Sequence, residues 1–90
     1  MPRTIRCGLI QASNVRHEGS LSDIKEAMIQ KHIGLVEEAG NKGVQILCLQ
    51  ELFHGPYFAA EQDIKWYRTA EPVPGPITER MAPLAKKYRM

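Results

Sequence analysis

The 90-residue sequence has no apolar run approaching the roughly 20 residues that cross a bilayer, and its opening Met-Pro-Arg-Thr-Ile-Arg lacks the core of a secretory signal. No membrane partner is therefore expected, and the cytoplasm is the default location. Residues 10–22 contain no glycine-rich phosphate loop, which argues against a nucleotide binder. The net charge is only +2, and basic residues are scattered apart from Lys86-Lys87-Tyr88-Arg89, so no nucleic-acid partner is indicated. His17, His32 and His54 have no cysteine or carboxylate at metal-ligand spacing, so no metal and no other cofactor is expected. Only two cysteines are present, Cys7 and Cys48, and both lie in apolar, strand-like segments. They are expected to be small core hydrophobes with no disulfide between them.

What is present centres on the stretch from Val44 to Phe58. Residues 44–49 are short, apolar and rich in β-branched side chains, bounded by Gly43 in front and Gly55-Pro56 behind, which predicts a buried strand and then a turn. Glu51 falls at the exit of that strand. In open α/β sheets the carboxyl ends of parallel strands border the ligand crevice, so Glu51 is a site candidate. Its position fits equally a glutamate that simply meets solvent.

The preceding chain supplies the rest of a β-α-β unit. Thr4 to Gln11 alternates as a strand, with Gly8 marking a close approach of a neighbour. Ser20 caps a helix predicted from Leu21 to about Gly40, in which Leu21, Ile24, Met28, Leu35, Val36 and Ala39 recur at steps of three and four. Ile29 and Ile33 widen the stripe, and His32 falls within it as a hydrogen-bonded interior or interface histidine. Asn41-Lys42-Gly43 stops the helix. A crossover of this length makes the two strands parallel neighbours. Cys48 and Glu51 then point to opposite faces if the extended conformation persists, which makes Cys48 a poor partner for Glu51.

Beyond Glu51 come Phe53, Tyr57, Phe58, Trp66 and Tyr67. They fit a pocket wall, with Phe53 and Tyr57 as substrate-contacting candidates, or a minor hydrophobic cluster beneath a loop. Residues 60–69 suit a short helical turn, and Pro76 opens a second helix lined by Ile77, Met81, Leu84, Ala85 and Tyr88. Pro83 is expected to kink that helix or end its first part. With two strands and two helices, the α/β arrangement reads as the opening of a domain.

Gln50-Glu51-Leu52-Phe53-His54-Gly55-Pro56-Tyr57-Phe58, preceded by Arg6-Cys7-Gly8-Leu9-Ile10-Gln11 and followed by Pro74-Gly75-Pro76, resembles the nitrilase superfamily of carbon–nitrogen hydrolases, most closely its N-carbamoyl amidohydrolases. The resemblance implies that residues 1–90 are the N-terminal β-α-β-α part of an α-β-β-α sandwich, incomplete alone, whose full-length parent is a homo-oligomer. It implies a small-molecule N-carbamoyl or related amide substrate, with the family's catalytic glutamate at Glu51. The family's lysine and nucleophilic cysteine fall beyond residue 90 and have no counterpart here, so the chain alone is expected to be inactive. Attack of a thiol on such a carbonyl needs a base for its proton, and a carboxylate in apolar surroundings suits the task. The lysine would stabilise the oxyanion. The rival expectation is a small non-catalytic α/β module that binds a ligand or a partner through its wide apolar helix face.

Overall fold

Alternating apolar residues build the first ladder. In the computed structural model, which describes residues 3–15, 18–56 and 62–90, strand β1 is Cys7–Ile10 and strand β2 is Ile46–Leu49. They pair in parallel, with Cys7 opposite Ile46 and Ile10 opposite Leu49. Both strands are shorter than their apolar patterns suggest because glutamine side chains take over at each end. At the near end, Gln45 Oε1 accepts from Arg6 N at 3.0 Å while Gln45 N donates to Arg6 O at 2.8 Å. At the far end the Gln50 amide bridges to Ala12. Gly8 is where a neighbour approaches closely, since a Cβ there would stand 3.2 Å from both Leu47 and Val44.

Helix α1, Leu21–Asn41, begins where Ser20 Oγ accepts from Asp23 N at 3.1 Å. It ends where Gly43 takes up φ +76°, a left-handed conformation that glycine adopts without steric cost. Ile24, Met28, His32 and Val36, four residues apart, form its buried stripe together with Ile29. The stripe is partly roofed by the loops at the strand exits: Met28 Sδ accepts from Val15 N at 3.2 Å, and the His32 ring meets Phe53.

A 3-10 helix, Ile64–Thr69, occupies the region where a short helical turn was expected. Helix α2, Pro76–Tyr88, follows. It runs through Pro83 without ending there, so of the two expected outcomes, a kink or an end to the first part, the end does not occur. Pro83 is exposed, so the carbonyl deprived of its usual donor can turn to water. Helix α2 meets α1 where Arg80 pairs with Glu26 at 2.7 Å and where the ring of Tyr88 lies against Gly40, and just ahead of α2 Glu71 pairs with Lys25 Nζ at 2.5 Å.

The sheet has one covered face and one bare face. Gly8, Ile10, Leu47 and Leu49 point inward and are half-buried, whereas Cys7, Leu9, Ile46 and Cys48 point outward and are exposed, Leu9 at 85% and Ile46 at 60%. The expectation that Cys7 and Cys48 lie in the core is therefore wrong. Both are free and exposed because all four outward residues face a side with no covering layer. The chain as a whole exposes 6891 Å², against about 5,300 Å² for a compact monomer of this mass.

Candidate active site

The candidate site is a turn held on both sides. After Leu49 the extended conformation stops, and residues 51–54 form the turn. The condition on which Cys48 and Glu51 would face opposite ways is thus not met. Leu52 lies at φ +57°, a conformation that costs an L-residue about 1 to 2 kcal/mol and persists only where its neighbours enforce it. On one side, Gln50 Oε1 accepts from the Ala12 N–H while its Nε2 donates to Ala12 O at 2.8 Å, tying the exit of β2 to the exit of β1. On the other side, Phe53 lies against His32 with ring centroids 5.1 Å apart and planes tilted by 59°. Glu51 stands between these anchors, at the carboxyl end of the parallel pair, with an exposed side chain.

Phe53 and His54 lead from the turn into an open cavity of about 910 Å³, whose walls also include Trp66, Tyr67, Glu71 and Ile77. The rings of Phe53 and His54 meet edge to face at 5.3 Å. Burial pushes the His54 imidazole below its ordinary pKa, and the Lys25 charge adds to this, against opposing effects of its own backbone and of Glu71. Glu71 is held below the usual carboxylate range, first by the hydrogen bond from Lys25 and then by the Ile77 N–H at 2.8 Å, with desolvation opposing. One carboxylate therefore joins α1 to the start of α2 beside the cavity. Its apolar walls suit the carbon skeleton of a small molecule, and His54 supplies a neutral donor or acceptor.

Glu51 and Phe53 thus lie on one turn, and Phe53 lines the cavity, whereas Glu51 does not. Tyr57 lies outside the described residues, as do Phe58 and His17. Sequence reasoning missed three residues here: Gln50, whose partner is 38 positions away; His54; and Glu71, 46 positions from Lys25. Only Glu71 had a local signal, an acid six residues ahead of the N–H it accepts at a proline-initiated helix. Among the described residues, no three His, Cys, Asp or Glu side chains cluster to hold a metal, and no helix is long and apolar enough to cross a membrane.

Comparison with known proteins bears on the same residues. The carbon-nitrogen hydrolase family model matches residues 8–90. A beta-ureidopropionase of Arabidopsis thaliana is 39% identical over 90 residues, covering 99% of this chain and 22% of that protein. An omega-amidase of Bos taurus is 33% identical over 88 residues, 97% of this chain and 28% of that protein. An N-carbamoylputrescine amidase of Solanum lycopersicum is 44% identical over 54 residues, 59% of this chain and 18% of that protein. The chain spans about a quarter of the length of the first two of these relatives. No solved structure matches it significantly.

Proposed function

The chain belongs to the carbon–nitrogen hydrolase family, and from that premise we propose that it forms the N-terminal part of an amidohydrolase domain acting on N-carbamoyl or related linear amides. Glu51 is the general base. The observation that carries this reading is the placement of Glu51 two residues past the end of β2, on a turn tied down on both sides beside a cavity. The names of the ureidopropionase and carbamoylputrescine amidase relatives favour an N-carbamoyl substrate, while the omega-amidase keeps simpler amides within the class.

In this reading Glu51 takes the proton from a cysteine thiol as it attacks the substrate carbonyl, and a lysine stabilises the oxyanion. Both partners come from polypeptide beyond residue 90, so neither Cys7 nor Cys48 is the nucleophile and the 90 residues alone turn over nothing. The same additional chain supplies the apolar cover that Glu51 lacks here and the outer-helix contacts of a homo-oligomer. Phe53 contacts the substrate from the cavity wall, and Tyr57 is its proposed companion.

The test is hydrolysis of N-carbamoyl-β-alanine by the full-length parent. Glu51→Gln is expected to lower kcat by about 10² to 10⁴, the usual worth of a positioned base. A parent that keeps native turnover with glutamine at 51 would falsify the role given to Glu51.

A further inference from the structure

We infer that Gln50 and His32 are positioning residues that hold the Glu51 turn from its two sides. The inference rests on Glu51 being the base, and it adds the means by which a carboxylate on a loop keeps one orientation. A glutamate on a free turn would sample many placements, and an error of 1 Å at a reacting group can cost about 10²-fold in rate. Here the residue before Glu51 and the residue two after it are both fixed to other elements.

Gln50 makes a paired contact with the Ala12 backbone through both atoms of its amide, which acts as one more rung beyond the last residue pair of the sheet. A glutamate there could still accept the Ala12 N–H but could not donate to Ala12 O. His32 is fully buried, and its Nδ1 donates to Met28 O at 2.8 Å, which fixes the ring on α1. Its Nε2 is buried without a hydrogen-bond partner among the described residues. An aliphatic side chain would avoid that polar cost, so what histidine contributes is a ring held at a set angle against Phe53. Leu52, between the two anchors, lies at φ +57°, a conformation that persists only where its surroundings enforce it.

The experiment uses the full-length parent, with N-carbamoyl-β-alanine as substrate and rates expressed per folded protein. Gln50→Glu and His32→Leu are each expected to lower kcat about 10- to 100-fold with KM within about threefold of native, the signature of a displaced reacting group. His32→Phe, which restores the ring pair, is expected to recover kcat to within about threefold of native. Unchanged kcat in Gln50→Glu or in a folded His32→Leu overturns the inference. So does a loss confined to KM, or a His32→Phe variant as slow as His32→Leu. If His32→Leu does not fold, Gln50→Glu at the half-buried edge decides the matter. Glu51→Gln is assayed alongside: full activity there removes the proposed function, whereas a large loss there with native Gln50→Glu removes only this inference.

Discussion

The same substitution at two positions of one helix is expected to have opposite effects. Gly34 and Gly40 both lie in α1, and neither has a positive φ. A Cβ at Gly34 would meet nothing within 4 Å, so Gly34→Ala gains most of the helix-propensity difference, about 0.8 kcal/mol. A Cβ at Gly40 would stand 2.5 Å from Cδ1 and 2.7 Å from Cδ2 of Tyr88, and closer still to Cγ. A rigid ring cannot yield locally, so it must swing out of the seam between α1 and α2. Overpacking of that kind costs about 1 to 3 kcal/mol, which exceeds the propensity gain. For the 90-residue chain melting as one unit, 1 kcal/mol moves Tm by about 4 to 8 °C. Circular dichroism melts are therefore expected to show Gly34→Ala raised by about 3 to 6 °C and Gly40→Ala lowered by up to about 18 °C. With Tyr88→Ala in the background, Gly40→Ala should turn stabilising, because the two residues share one contact. A Gly40→Ala variant that melts as high as Gly34→Ala would refute the packing argument.

Two further predictions concern acid. The Lys25 hydrogen bond makes Glu71 more acidic folded than unfolded, so its stabilisation is complete above the ordinary carboxylate range near about 4.3 and lost as pH falls through the lowered folded value. Glu71→Gln should flatten that low-pH decline in Tm, and an unchanged slope would count against the bond. His54 is likewise depressed, first by burial, so the neutral ring stabilises the fold above about pH 6.5 and protonation below that range opposes it. His54→Gln should remove the decline that starts there and leave the Glu71 portion in place; equal melting profiles in the two proteins would show that His54 is not shielded.

Sequence reasoning located the elements well because their signals are local. Ser20, the stripe from Ile24 to Val36 and Gly43 lie within the helix or beside it, and they mark its ends to within a residue or two. His32 was legible for the same reason, since any residue at that step of the stripe is carried inward. The error over Cys7 and Cys48 came from reading apolar alternation as burial on both faces. The pattern records which residues are suited to cover, whereas the cover itself depends on how many layers the folded chain brings to the sheet. Glu51 was placed at a strand exit, but its setting was not legible, because the anchors beside it act through Ala12 and His32 at separations that no periodicity reports.

The bare sheet face and the exposed carboxylate have one physical cause. A parallel pair is stable when both of its faces are packed, and here Leu9 and Ile46 stand outward in water beside both cysteines. A layer seated on that face would border the exits of β1 and β2, where Gln50 and Ala12 hold the turn. If Glu51 is the base proposed above, the anchors hold its carboxylate at a set position before any layer docks, so that covering the sheet and completing the proposed site would be the same event.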